Sequence, residues 1–111
     1  MRWPGQIPFQ SASDACIATV DLLPTLCGLL DLECPNSIEG MDLSHLARGQ
    51  NGPEPNAAFL QGCGAVAAWQ DGHEWRALRD KQFTYAIYRV DGRELLFDYL
   101  NDPFQMNKGL E

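Results

Sequence analysis

The stretch Phe83-Thr84-Tyr85-Ala86-Ile87-Tyr88-Arg89-Val90-Asp91-Gly92-Arg93-Glu94-Leu95-Leu96-Phe97-Asp98 decides the fold class. Phe83, Tyr85 and Ile87 alternate with smaller or more polar residues, the period of a strand whose two faces meet different surroundings. Asp91-Gly92 is a hairpin pair, because a tight antiparallel turn needs positive φ, which glycine adopts without steric cost. It joins Arg89-Val90 to a returning strand over Glu94–Asp98. Working backwards, Glu74–Arg79 alternates less cleanly and Ala57–Gln61 is apolar, so both read as further strands. The second half is therefore predicted to be a meander of about four antiparallel strands.

The first half has a different pattern. Met1–Gln10, punctuated by Pro4, Gly5 and Pro8, reads as a strand remnant leaving through a turn. Ala15–Thr19 is small and partly β-branched, and fits a brief buried strand. Asp21 then caps a helix with Leu22, Leu23, Leu26, Leu29 and Leu30 as its core-facing positions. Pro24 falls in the first turn, where its missing N–H has no intrahelical acceptor to lose. Gly28 weakens this helix by about 1 kcal/mol relative to alanine, and Pro35 limits its extent. After a loop over 36–42, Leu43–Arg48 is a short helix capped by Asp42 and stopped by Gly49. Asn101-Asp102-Pro103 reads as an N-cap with a proline-led helix start.

The fold class expected is α+β: a short N-terminal strand and two helices, followed by a roughly four-stranded antiparallel sheet. At 111 residues the chain is expected to be one domain, 1–111, burying ~65% of its unfolded surface. Gln50–Asn56, with two prolines and a glycine, divides it into a strand/helix part (1–49) and a sheet part (57–111).

Fifteen acidic against eight basic residues give a net charge of −7, a surface that repels phosphate backbones, so nucleic-acid binding is not expected. No apolar run approaches the ~20 residues that span a bilayer. The N-terminus lacks a charged lead and apolar stretch, so no secretory leader is expected and a cytoplasmic setting is favoured. Cys16, Cys27, Cys34 and Cys63 form no C-x-x-C pair, and His45 and His73 are not spaced as zinc partners for them. No metal site is expected; the thiols are read as free, with Cys27–Cys34 the pair considered for a disulfide.

No G-x-S-x-G elbow, phosphate loop, dinucleotide fingerprint or H-E-x-x-H occurs. Cys63 lies between Gly62 and Gly64, and His73 is ten residues on, a spacing that builds no obvious Cys–His pair. Asp71, His73 and Glu74 form the densest polar cluster, and with Trp75 they are the candidate ligand-mouth loop. A solvated turn led by Asp71-Gly72 accounts for the same residues. Arg76 and Arg79 have the chemistry to attract an anion, but residues three apart on a strand face opposite ways. Trp69 and Trp75 read as core or interface anchors.

Beside these readings stands a resemblance. Arg2-Trp3-Pro4-Gly5-x-Ile7-Pro8 is similar to the R-W-P-G-x-I-P segment of sulfatases. Ser13-Asp14 and Thr19–Leu26 resemble the family's S-D…(S/T)-x-V-D-L-x-P-T-L run. Gly40-Met41-Asp42-Leu43 resembles its G-x-S-L, with Asp42 in place of serine. Trp75–Arg79 is similar to W-R-A-V-R, and Phe83-Thr84-Tyr85 sits where R-Y-K-Y is usual. Leu96-Phe97-Asp98, Asn101-Asp102-Pro103 and Met106-Asn107 resemble the L-Y-D-L-x-N-D-P-x-E-x-x-N ending.

The resemblance implies a C-terminal sulfatase segment of the alkaline-phosphatase superfamily. In that family a formylglycine made from C/S-x-P-x-R is the nucleophile, and calcium neutralises the sulfate oxygens. Neither carries over, since Cys34-Pro35-Asn36 lacks that spacing and the D-H-G motif is missing. No catalytic residue, cofactor site or metal ligand is therefore expected. In full-length relatives a helix commonly follows N-D-P and covers the sheet, whereas this sequence ends at Glu111. An uncovered face with Phe83, Tyr85 and Ile87 is expected to drive homo-oligomerisation. Three functions follow: a non-catalytic sulfatase-like domain with a structural or substrate-mouth role, one half of a split sulfuric-ester hydrolase whose partner chain brings nucleophile and metal, or a repurposed ligand-binding or dimerisation module.

Overall fold

Alternation along Phe83–Asp98 produces the expected hairpin, and two more strands extend it. The computed structural model describes residues 1–62, 74–107 and 109. Within the unit Asn56–Glu111, β1 (Ala58–Gly62), β2 (Trp75–Arg79), β3 (Phe83–Tyr88) and β4 (Glu94–Asp98) form one sheet in the order β1-β2-β3-β4. Every neighbouring pair is antiparallel.

The two described turns, β2–β3 and β3–β4, are each held by an aspartate. The Asp80 carboxylate accepts the N–H of Gln82 at 2.7 Å and that of Phe83, and these bonds hold it below the usual carboxylate range. At the second turn Gly92 takes φ +66°, Asp91 accepts the Arg93 N–H at 3.0 Å, and the Tyr88 N–H reaches the Arg93 carbonyl at 2.9 Å. Arg89 and Val90 thus belong to the turn rather than to the strand.

The register assigns the faces. Phe59, Leu78, Tyr85 and Leu96 form one cross-strand row, and Phe83 and Ile87 share its side. Of these, Phe59, Leu78, Phe83 and Ile87 are exposed. On the other side lie Ala58, Leu60, Ala77 and Ala86, with Ala58 and Ala77 buried. No helix starts at Asn101-Asp102-Pro103. Asp98 takes the N–H groups of Leu100 and Asn101 into a turn, and the Asp102 carboxylate is spent on the Asn107 N–H at 2.6 Å.

The unit Met1–Pro55 contains a 3-10 turn (Thr19–Asp21), α1 (Leu22–Leu29) and α2 (Ser44–Ala47). The two helices and the antiparallel sheet make the chain α+β. The expected N-terminal strand is not formed. Met1–Gln10 turns on itself, with the Ile7 N–H bonded to the Trp3 carbonyl at 2.9 Å, and Ala15–Ala18 is extended without strand pairing. Only Cys16 of that stretch is buried, because the chain there leads directly into the 3-10 turn.

The largest correction concerns α1. Its core side consists of Pro24, Thr25, Cys27 and Leu29, whereas Leu22, Leu23, Leu26 and Leu30 are 45%, 48%, 44% and 54% exposed. Periodicity identified the apolar stripe correctly but not the side that this chain buries. Arg48, just past α2, donates to the carbonyls of Gly28 (3.3 Å) and Leu29 (3.1 Å), supplying donors to the open C-terminal end of α1. Gly49, at φ +75°, closes α2 with its N–H on the Leu46 carbonyl at 2.9 Å.

Candidate functional site

The polar residues that α1 turns inward have a specific task. The Asp21 carboxylate, 5% exposed, accepts the N–H of Ala18 and of Met41, each at 2.8 Å. It therefore does not cap α1, as expected from sequence, but ties the chain before the helix to a loop twenty residues away. Thr25, 2% exposed, accepts the Leu43 N–H at 3.0 Å. Asp42 then accepts the Ser44 N–H at 2.8 Å and starts α2. A Cβ on Gly40 would lie 2.5 Å from the Val20 carbonyl carbon and 2.9 Å from the Asp21 nitrogen, so only glycine fits that crossing. A Cβ on Gly28 would meet the Asp42 carboxylate at 2.5 Å. The runs 19–26 and 40–44 are thus the two sides of one hydrogen-bonded clasp.

Beside the clasp is a groove of about 290 Å³ whose walls include Ile7, Ala15, Ile17, Thr25, Leu43 and Leu46. Among the described residues that line it, none carries an acidic, basic or thiol side chain. Cys16 and Cys27 are buried free thiols, and Cys34 is a half-buried one. Partial burial, then the neighbouring Cys27 sulfur, pushes the Cys34 thiol above its ordinary value, which makes it a poor nucleophile. Among the described residues no three His, Cys, Asp or Glu side chains come together as metal ligands.

The second candidate region is the end of the sheet that bears the proposed mouth. Asp71 and His73 lie outside the described residues, as do Cys63 and Trp69. Glu74 and Trp75 are described, and both are half-buried. The Glu74 carboxylate pairs with the Arg89 guanidinium, and the Glu74 carbonyl accepts the Arg89 N–H at 2.8 Å. That pairing raises the Arg89 guanidinium further above its already high range and engages the Glu74 carboxylate in an ion pair. Trp75 stands opposite Gly62 and Tyr88 in the ladder, and its indole lies over Gly62, where a Cβ would be 2.7 Å from the ring.

Tyr88, Arg89 and Arg93 complete this end, with the Arg93 guanidinium 4.4 Å above the Tyr88 ring. Sequence reading missed these three. The signal was the hairpin register, since a turn at Asp91-Gly92 returns Tyr88 beside Trp75. Arg79 instead stacks 4.5 Å over Tyr99, and it alternates with Arg76 across the sheet, so the two arginines share no anion.

No family model matches the chain. Over 94 residues, 85% of this chain, it is 36% identical to the Ulvan-active sulfatase of Formosa agariphila. Over 90 residues, 77% of the chain, it is 29% identical to the Delta 4,5-hexuronate-2-O-sulfatase of Bacteroides thetaiotaomicron. A solved structure of a candidate sulfatase from Bacteroides fragilis superposes with a TM-score of 0.72 at 30% identity, over 95% of this chain. The chain is sulfatase-like over nearly its whole length. This sulfatase-like segment spans 18% of each of the two curated relatives and 23% of the solved chain.

Proposed function

We propose that this segment is the C-terminal domain of a sulfatase, non-catalytic by itself, with a structural role and a part in shaping the substrate mouth of a larger enzyme. One observation carries the reading. A segment that superposes on about a fifth of a sulfatase-like chain holds no C/S-x-P-x-R sequence from which the family's nucleophile is made. The described residues support a frame. Asp21, Thr25 and Gly40 are committed to backbone geometry, and Glu74 is ion-paired with Arg89. The Glu74–Trp75 end of the sheet is the part assigned to the mouth. Relatives named for ulvan and for hexuronate-2-O-sulfate point to a sulfated carbohydrate as the substrate of the whole enzyme.

The test is arylsulfate turnover by the purified chain, with and without added calcium. No rate above the buffer control is expected in either arm; turnover in either arm overturns the reading.

An assembly role rests on a second observation, the exposed row on the sheet. Phe59, Leu78, Phe83 and Ile87 share one face and are all exposed, an apolar surface that soluble monomers rarely leave uncovered. We infer that two copies associate through this face.

A further inference from the structure

We propose that Cys27 and Cys34 are a reversible disulfide site, closed by a low-molecular-weight disulfide, that locks the end of α1 beside the clasp. Cys27 occupies the last turn of α1 on its buried side and is 8% exposed. Its carbonyl accepts the Leu32 N–H at 2.9 Å, and Asp31, at φ +54°, takes the left-handed conformation that turns the chain back on the helix. Cys34 follows Leu32 by two residues, and Pro35 restricts it to extended backbone. This reversal brings the two sulfurs together, and the Cys34 side chain is hydrogen-bonded to that of Cys27. Asp42, whose carboxylate lies against Gly28 and starts α2, is near enough for its charge to act on the same thiol.

Access differs between the two thiols. Cys34 is half-buried and Cys27 buried, so an external reagent meets Cys34 first. With glutathione disulfide as oxidant, Cys34 loses its proton and attacks one glutathione sulfur. The Cys34–glutathione bond forms, the bond between the two glutathiones breaks, and one glutathione leaves as thiolate. Cys27 then loses its proton and attacks the Cys34 sulfur, releasing the second glutathione. Two protein thiols give up two electrons and two protons, and one glutathione disulfide becomes two glutathione thiols. The first step is slow, because burial and the Cys27 sulfur hold the Cys34 thiol above its ordinary value and its thiolate is scarce. The second step is intramolecular, between sulfurs already in contact, so the mixed intermediate does not accumulate.

The experiment incubates the purified chain with glutathione disulfide at mildly alkaline pH, blocks remaining thiols with N-ethylmaleimide, and digests after acidic residues. Cleavage at Asp21, Asp31 and Glu33 places Cys16, Cys27 and Cys34 on three separate peptides. Mass spectrometry is expected to find Cys27 joined to Cys34, and dithiothreitol is expected to return both as free thiols. The oxidised chain is expected to melt about 5 °C above the reduced one, since closing a short loop restricts the unfolded chain. Cys27→Ser is expected to stop at a glutathione adduct on Cys34. Cys34→Ser is expected to slow modification of Cys27 about tenfold, the exposed entry point having been removed. The wild-type peptide map decides the pairing even if a variant fails to fold. Two thiols still free after prolonged incubation, a glutathione adduct that persists on wild-type Cys34, or Cys27 joined to Cys16 or Cys63 overturns the proposal. So does an oxidised chain that melts no higher than the reduced one.

Discussion

The carboxylate of Asp21 accepts the backbone N–H of Met41 at 2.8 Å, closing the chain across twenty residues with a single buried side chain. Its other oxygen holds the Ala18 N–H, so both oxygens are spent on main-chain donors. Asp21→Ala leaves two N–H groups without acceptors, each costing about 1–3 kcal/mol when buried. A loss of ~2–4 kcal/mol is expected in urea unfolding of the chain. Asp21→Asn keeps one acceptor and is expected to lie between wild type and alanine. A loss under 0.5 kcal/mol for Asp21→Ala would show that the clasp does not hold the unit together.

The two close glycines separate by what they touch. Gly40 faces main-chain atoms of Val20 and Asp21, which can retreat only if the clasp opens. Gly28 faces the Asp42 carboxylate, a side chain able to rotate at the cost of its bond to the Ser44 N–H. Gly28→Ala also gains about 1 kcal/mol of helix propensity. Gly40→Ala is therefore expected to destabilise strongly and Gly28→Ala weakly. Thermal melts of both variants check this order, and a reversed order refutes the assignment.

Acid should loosen the sheet unit. The carboxylates of Asp80, Asp98 and Asp102 sit below their ordinary value of 3.8. For Asp80 the cause is the Phe83 N–H, for Asp98 the Asn101 side chain, and for Asp102 the Asn107 N–H. Depressed folded values mean that the unfolded chain takes up protons first as pH falls. Their contribution is complete above pH 3.8 and is lost as pH drops through the folded values. Melting temperature is expected to change little from pH 7 to pH 5 on this account and to fall below pH 4. Asp98→Asn should flatten that fall, and an unchanged acid limb would count against the turn carboxylates.

Self-association is predicted to follow the sheet row. Leu78→Lys places a charge in the middle of the face opposite Phe59 and Tyr85. Because Leu78 is 52% exposed, stability should move by less than about 1 kcal/mol. Light scattering at micromolar concentration is expected to give a dimer for the wild type and a monomer for the variant. A monomeric wild type removes the assembly role.

Much of the meander was legible because strand alternation and turn chemistry are local. Asp91-Gly92 and the period of Phe83–Tyr88 fix β3 and β4 without reference to the rest of the chain. The burial of α1 was not legible, because periodicity separates leucines from other residues without saying what lies on either side. Here the side with Thr25, Cys27 and Leu29 goes inward, and Thr25 and the preceding Asp21 satisfy the N–H groups of Leu43 and Met41, partners distant in sequence. Asp98 and Asp102 were missed for a different reason: an aspartate beside a proline reads equally as a helix cap or as a turn, and their bonds to nearby main chain give turns. At the sheet end, Glu74 and Trp75 were singled out from the polar cluster that follows Asp71. Arg89 and Tyr88 needed the register.

Gly62 leaves room for the Trp75 indole directly across the ladder. A strand slipped by two residues keeps its faces and its hydrogen-bond pattern, so sheet pairing alone resists such a shift weakly. Moving β1 so that Leu60 lies under the indole would drive a side chain into the space the ring already fills. One absent side chain thus acts as a detent, allowing β1 to seat where glycine meets tryptophan and barring that neighbouring alignment.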